Sequence, residues 1–502
     1  MQPLCPSLYQ VNTRIWLNEL GQAQGRPATL DDVPDADLDH LAQRGFDWVW
    51  LLGVWQTGAA GREVSRRHPD WRREFQAALR DLREDDIIGS PFAVRRYAVA
   101  ADMGGDAALA RLRERLRQRG LRLMLDFVPN HTALDHPWVG EHPEFYVHGT
   151  EELLAREPGN YCRVTTGEKA LILAHGRDPY FPGWPDTLQL NYRHAGLRAA
   201  MISELERLAT QCDGVRCDMA MLVLPDVFLR TWHSLSLPSD GSPPVEGPFW
   251  PETIARVRRR HPDFVFMAEV YWDLEWTLQQ QGFDYTYDKR LYDRLHLRDA
   301  AEVRRHLEAD REFQRKLVRF LENHDEPRAA SAFPPPVHQA AAVIAFFVPG
   351  MRFFHNGQLE GRRVRVPVHL GRRPEEPADL AIRQFYDQLL ACLDDPLVRS
   401  GRWRLLACRP AWADNPTWSR FLAFSWEEEA PRRRWLVAVN YGPTRGQCYV
   451  SLPYGDLGGR TWRLQDRLGP ATYERDGDDL ADRGLYLDMP EWGYHLFELT
   501  PA

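Results

Sequence analysis

Short apolar runs alternate with stretches in which apolar residues recur every three or four positions, from about residue 8 to about residue 397. The runs Leu8–Trp16, Phe46–Gly53, Leu121–Val128, Asp213–Met219, Asp263–Val270, Phe283–Tyr287, Val318–Asp325 and Met351–His355 read as strands. Between them, Ala107–Gly120 and Ala195–Gln211 read as amphipathic helices. Leu109, Leu112 and Leu116 share one face of the first; Leu197, Met201, Leu205 and Leu208 share one face of the second. Asp106 stands where an N-cap belongs and Gly120 where that helix must end. Strands alternating with helices predict a parallel sheet, and eight such units predict an α/β fold closed as a (β/α)8 TIM barrel.

Two intervals break the rhythm. The longest gap between strands follows the third, where residues 132–191 are rich in Pro, Gly and His and poor in helical periodicity, the mark of an inserted domain. A shorter irregular excursion, Leu237–Pro251, follows the fourth strand. From residue 398 the chain changes character. Trp435–Asn440, Cys448–Leu452, Thr461–Leu464 and Tyr494–Leu499 read as short strands between Gly, Pro and Asp turns, which predicts a C-terminal antiparallel β-sandwich over 398–502. The barrel then comprises 1–131 and 192–397.

Composition narrows the function classes. The 502 residues are 44% hydrophobic and 27% charged, ordinary for a folded protein. Against 63 Lys and Arg stand 71 Asp and Glu, a net charge of −8, so binding to nucleic acid through bulk electrostatics is not expected. The first residues lack the basic start and apolar run of a signal peptide, and the longest apolar run, Ala340–Val348, is too short to span a bilayer. Seven cysteines without disulfide or zinc spacing fit a reducing compartment, so the expected place is the cytoplasm.

Four segments end their strands in polar residues that a buried strand tolerates poorly: LMLDFVPNH (123–131), DGVRCDMAM (213–221), FVFMAEVYW (264–272) and FLENHDEPR (320–328). In a parallel barrel the carboxyl ends of the strands converge on one mouth, so Asp126, Asp218, Glu269 and Asp325 are expected to meet there. Arg216 and Asp218 point the same way by strand alternation, and the arginine is expected to keep Asp218 ionised. Glu269 follows the apolar run Phe264–Ala268, and a drier site is expected to keep it protonated. Metal-assisted hydrolysis also uses carboxylates and histidines, but this asymmetry favours retaining glycoside hydrolysis.

These four segments, with GSPFAVRRY (89–97) and PGMRFFHNGQLEG (349–361), resemble the signature regions of the α-amylase superfamily, glycoside hydrolase family 13, in order and spacing from Leu8 to Gly361. The resemblance implies a (β/α)8 barrel with an insertion after strand three and a C-terminal β-sandwich. It implies double displacement on α-linked glucose oligo- or polysaccharides. Asp218 then resembles the nucleophile, Glu269 the general acid/base and Asp325 the third acid; His131 and His324 resemble the histidines that bind the reacting sugar. Phe92 takes the stacking aromatic's place, and Asp126 that of the partner of Arg216. Met221 and Leu222 replace a Lys-His pair common among α-amylases, which weakens the expectation of typical endo-acting substrate binding. Gln189 replaces an aspartate that often ligates calcium; a neutral amide is a poorer ligand for a hard cation, so no metal or other cofactor is expected.

Three functions fit these residues. The first is hydrolysis of an α-glucan. The second is transglycosylation through the same intermediate, with a sugar hydroxyl as acceptor. The third is a catalytically inactive glycan-binding relative, which the retention of all three acids, Arg216 and both histidines disfavours. The expected partner is a small or polymeric α-glucan, with no nucleic acid and no membrane. Trp138, Trp184 and Trp272 read as packing residues.

Overall fold

The computed structural model describes residues 3–166, 169–428 and 433–502. Eight parallel strands close into a barrel in sequence order: β1 Ser7–Asn12, β2 Trp48–Leu52, β3 Arg122–Phe127, β4 Gly214–Cys217, β5 Val265–Ala268, β6 Tyr285–Tyr287, β7 Leu317–Arg319 and β8 Met351–His355, with β8 pairing back onto β1. Side chains such as those of β2 (WVWLL) and β5 (VFMA) are buried on both faces, because the barrel interior takes one set and the surrounding helices the other. Helix Ala195–Gln211 has the predicted bounds and buries Leu197, Met201, Leu205 and Leu208.

Several predicted elements are trimmed for physical reasons. The expected strand Leu8–Trp16 ends at Asn12, whose side chain accepts from Ile15 N at 3.3 Å and starts the helix Thr13–Gln24. The expected strand Val318–Asp325 stops at Arg319. Asn323 Oδ1 then accepts from Asp325 N and Glu326 N at 2.8 and 2.9 Å, turning His324 and Asp325 into the barrel mouth. The helix expected over Ala107–Gly120 spans Gly105–Arg117. Gly104 is its N-cap, and Asp106 instead accepts from Val99 N at 2.8 Å.

Two loop regions rise above the mouth. After β3, strands His131–Ala133 and Thr187–Gln189 pair antiparallel, and the hairpin Tyr161–Thr166 with Lys169–Ala174 packs Tyr161 and Ile172 in one cluster with Phe228 and Trp232. After β2, an excursion carries helices Ala59–Arg67 and Pro69–Ala78. Its Phe75, Ala78, Leu79 and Ile87 form a separate apolar cluster with Leu370 from the loop after β8. Beyond the barrel, Arg402–Leu406, Phe421–Glu427, Arg434–Asn440, Tyr494–Pro501, Thr461–Asp466 and Thr472–Asp476 form one antiparallel sheet, and Cys408–Arg409, Gly446–Val450 and Leu485–Met489 a second. Trp426 Nε1 ties the first sheet to helix Pro335–Phe347 by donating to Phe347 O at 2.8 Å. Among the described residues no helix is long and apolar enough to cross a membrane.

At the opposite end of the barrel from the mouth, the fully buried Arg352 gathers four chain segments. It donates to Phe346 O (2.9 Å), Cys5 O and Leu393 O (both 3.1 Å) and Val398 O (3.0 Å). Arg352→Met leaves those carbonyls without their donor and is expected to cost about 3 kcal/mol or more, read as a lower midpoint of thermal unfolding. An unchanged midpoint would contradict this role.

Candidate active site

The ladder at the ends of β3, β4 and β5 sets the site. Asp218 N donates to Phe127 O at 2.8 Å and Glu269 N to Cys217 O at 3.0 Å, so the positions following β4 and β5 continue the strand register. Arg216, on β4 opposite Asp126 and Met267, is fully buried beneath the mouth. Its Nη1 donates to Asp218 Oδ1 at 2.5 Å and its Nη2 to Glu269 Oε2 at 2.7 Å. Two oxygens held by two nitrogens of one planar guanidinium lie within about 7.5 Å of each other.

Arg216 is therefore shared, whereas the sequence assigns it to Asp218 alone. Burial raises the carboxyls of both Asp218 and Glu269 above their usual range, and the charge of Arg216 opposes that rise. Glu269 also accepts from Met219 N at 2.7 Å and Tyr271 OH at 2.8 Å, donors that favour its ionised form. The expected division into an ionised aspartate and a protonated glutamate is thus not set by Arg216. Asp126 differs from expectation as well. Its hydrogen bonds come from Trp50 Nε1 (3.2 Å) and Gly53 N (3.1 Å), and it stands 4.0 Å from Arg216. Burial pushes its carboxyl up to about 7 against the pull of Arg216.

Asp218, Glu269, Asp325, His131 and Phe92 line one cavity of about 330 Å³. Arg216 and His324 lie behind that lining. Burial holds His131 down to about 4, and burial followed by the charge of Arg216 holds His324 down to about 3, so both rings are neutral at pH 7. Gln10 donates to His324 Nδ1 at 3.0 Å, which leaves Nε2 with the proton, 3.1 Å from Asp325 Oδ2. The Asp325 side chain is 50% exposed at the cavity rim. Phe92 stacks near His324, with ring centroids 5.4 Å apart, and its face lies 5.1 Å from the Arg216 guanidinium.

Several lining residues escape sequence reasoning, among them Met219, Tyr271 and Trp184 beside the acids and Trp71, Asp186 and His369 on the far wall. Met219 adopts φ 41°, ψ 47°, a left-handed conformation unfavourable for a side chain of this size, and this turn aims its N–H at Glu269. Tyr271 carries no sequence signal beyond lying two positions after Glu269. Trp184, expected to pack, instead lines the cavity with its ring 5.2 Å from that of His131.

The calcium position implied by the resemblance is filled by protein. Gln189 Nε2 donates to Asn130 O, Asn130 Oδ1 and Leu190 O, each at 3.0 Å. An N–H donor at the focus of three oxygens does the bonding a cation would do, and no carboxylate joins the set, so these residues do not fit calcium. Among the described residues no cluster of three His, Cys, Asp or Glu side chains could hold a metal ion.

A closed parallel barrel with Asp218, Glu269 and Asp325 gathered on one cavity at the carboxyl ends of its strands defines a (β/α)8 protein with a carboxylate-lined site. The family model described as "Alpha amylase, catalytic domain" matches residues 95–364, more than half of the chain, and the protein belongs to the alpha-amylase family. It is 25% identical over 464 residues to Alpha-amylase MalA of Haloarcula japonica, covering 90% of this chain and 57% of that protein. It is 26% identical over 268 residues to an Alpha-1,4-glucan:maltose-1-phosphate maltosyltransferase of Burkholderia pseudomallei, covering 52% of this chain and 19% of that protein. It is 28% identical over 237 residues to an Alpha-glucosidase of Culex pipiens, covering 45% and 35%. The chain thus spans little more than half, or less, of the length of these curated relatives. The fold is shared with a maltogenic alpha-amylase AmyB from Thermotoga neapolitana (TM-score 0.68, 17% identity, 99% and 98% of the two chains). It is shared also with a cyclic alpha-maltosyl-(1→6)-maltose hydrolase from Arthrobacter globiformis (TM-score 0.65, 16% identity, 100% of both chains).

Treatment with a chelator is expected to leave the unfolding midpoint and the activity unchanged. Gln189→Glu puts a carboxylate among the same oxygens and is expected to make the midpoint rise with added calcium. A fall of the wild-type midpoint on chelation, restored by calcium, would contradict the Gln189 assignment.

Proposed function

We propose that the protein is a retaining α-glycosidase of the α-amylase type, acting on α-linked glucose oligo- or polysaccharides. The observation that carries this reading is the sharing of one buried guanidinium by Asp218 and Glu269. Their bound of about 7.5 Å admits the roughly 5–5.5 Å separation that double displacement needs. Asp218 attacks the anomeric carbon while Glu269 protonates the departing glycosidic oxygen. The bond to that oxygen breaks and a glycosyl ester forms on Asp218. Glu269 then takes a proton from water, the water oxygen attacks the same carbon, and the ester opens with the starting configuration restored. His131, Phe92 and Asp325 surround the ring and bind it most strongly as positive charge develops, with His324 behind them beside Asp325.

The acid role of Glu269 requires one proton in the cluster at rest. One guanidinium faces two buried carboxyls, so the pair titrates as a unit and holds that proton above the usual carboxylate range. A bound sugar that displaces water from Glu269 drives the proton towards it.

Transfer to a sugar hydroxyl uses the same intermediate and is the second reading, supported by relatives named as maltosyltransferases. The partition into a barrel (1–131 and 192–397), an inserted domain (132–191) and a C-terminal domain (398–502) belongs to this proposal, as does independence from any metal cofactor. The seven free thiols support a reducing, cytoplasmic setting. No nucleic-acid or membrane partner is part of the proposal.

Asp218→Asn and Glu269→Gln are each expected to lower kcat by about three orders of magnitude or more with the fold intact, and near wild-type turnover in either removes that residue from its role. Chromatography of products from maltoheptaose, trehalose and sucrose separates the two readings: oligomers longer than the input indicate transfer, and shorter ones alone indicate hydrolysis. Tyr271→Phe removes a donor that stabilises ionised Glu269, which raises the pKa of the acid. The alkaline limb of the kcat/KM profile, where the acid loses its proton, is therefore expected to move to higher pH. A shift to lower pH would contradict the assignment.

A further inference from the structure

The cavity contains a buried acid that the double displacement does not use. Asp186, in the inserted segment, is 3% exposed and lines the same cavity as Asp218 and Glu269. Its Oδ2 has no hydrogen-bond partner among the described residues. Such an acceptor has lost its hydration without replacement, at a cost of about 1–3 kcal/mol and more when charged. His369 Nε2 faces this oxygen at 3.8 Å, too far for a direct hydrogen bond, so the two groups stand side by side on the cavity wall without bonding each other.

Both groups sit on rigid supports. A Cβ at Gly61 would stand 3.5 Å from Asp186 Cβ, ordinary van der Waals contact, so helix Ala59–Arg67 runs directly behind the aspartate. The His369 ring lies against Trp71 (4.6 Å, 35°) and Phe75 (5.6 Å, 38°), and its carbonyl accepts from Ile88 N at 2.8 Å. Arg14 Nη2 donates to the adjacent Val368 O at 3.2 Å. Trp71, Val368 and His369 therefore form a fixed wall, anchored by the apolar cluster of Phe75, Leu79, Ile87 and Leu370.

The topology says which end of a sugar meets this wall. It is built from the excursion after β2 and the loop after β8, the two strands that flank β1. β5, which delivers Glu269, lies four strands round the barrel, across the mouth. A leaving group protonated by Glu269 departs on the β5 side, so the far hydroxyls of the reacting ring point at the wall. The cavity of about 330 Å³ is at the small end of the roughly 300–1,000 Å³ typical of ligand sites, room for one or two sugar rings.

We propose that Asp186 and His369 clamp a hydroxyl at the non-reducing end of the glucan and so restrict attack to chain ends. The proposal rests on the glycosidase reading above and adds an exo-acting specificity to it. A terminal hydroxyl donates to the Asp186 carboxylate on its cavity side and contacts His369, the two residues that line the cavity together.

The test compares 4-nitrophenyl α-maltoheptaoside with the same glycoside carrying a 4,6-O-ethylidene block at its non-reducing end, with products followed by chromatography. The wild type is expected to cleave the blocked glycoside about a hundred-fold more slowly or worse. Asp186→Asn and His369→Gln are expected to raise KM for the free-ended glycoside about ten-fold with a smaller change in kcat. Asp186→Asn should unfold at about the same temperature as the wild type, because Oδ2 makes no hydrogen bond among the described residues for the substitution to break; an aspartate held only as a structural ion pair with His369 would lower it. Cleavage of the blocked glycoside at a comparable rate, or an unchanged KM in Asp186→Asn, overturns the clamp and leaves the glycosidase reading standing. Turnover of neither glycoside by the wild type overturns both.

Discussion

A single buried cation organises the catalytic end of this barrel. Arg216 is removed from water, and an isolated charge in that position would cost several kcal/mol even after relaxation. Asp218 and Glu269 compensate it through direct hydrogen bonds, and Asp126 does so at longer range. The faces of Trp50, Phe92 and Tyr287 surround the guanidinium at 5.4, 5.1 and 5.9 Å. The dependence runs both ways. Without the arginine the two acids repel each other in a dry site; without the acids the arginine has no counter-charge.

The remaining structure keeps this arrangement in register and encloses it. The three-strand ladder fixes which carboxyl reaches which nitrogen, because a shift of one residue along β4 would turn Arg216 and Asp218 to the other face. The inserted segment is held to the chain just after β3 by the Gln189 amide, which donates to Asn130. The apolar cluster between the β2 excursion and the β8 loop fixes the far wall. Among the described residues, three of the six left-handed non-glycine residues sit at the chemistry: Met219 immediately after Asp218, and Trp272 and Asp273 just beyond Tyr271.

Much of this was legible in the residue pattern, and the failures have definite causes. Helix Ala195–Gln211 and strand Met351–His355 were readable because periodicity and end signals agree there. Leu8–Trp16 overran because Ile15, buried from a helix, and Trp16 prolong the apolar run, while the short side chain of Asn12 carries the stop signal. The acids at 218 and 269 stood out because each ends a buried strand in a charged residue, the first after Arg216 and the second after the apolar run Phe264–Ala268. Asp186, His369 and Trp71 did not, because they reach the cavity from loops whose approach is set by tertiary packing, which no local pattern encodes. The sharing of Arg216 was hidden for the same reason: strand alternation aligns it with Asp218, but only barrel closure brings Glu269 to its second nitrogen.

The most direct measurement of the central claim is mass spectrometry of the protein after incubation with 5-fluoro-α-D-glucosyl fluoride, whose fluorine slows breakdown of a glycosyl ester. One glycosyl unit per chain, mapped by peptide digestion to the carboxylate of Asp218, is the predicted result. An adduct on Glu269 or on an acid outside the Arg216 cluster, or turnover in which the released sugar has the opposite anomeric configuration, would contradict it.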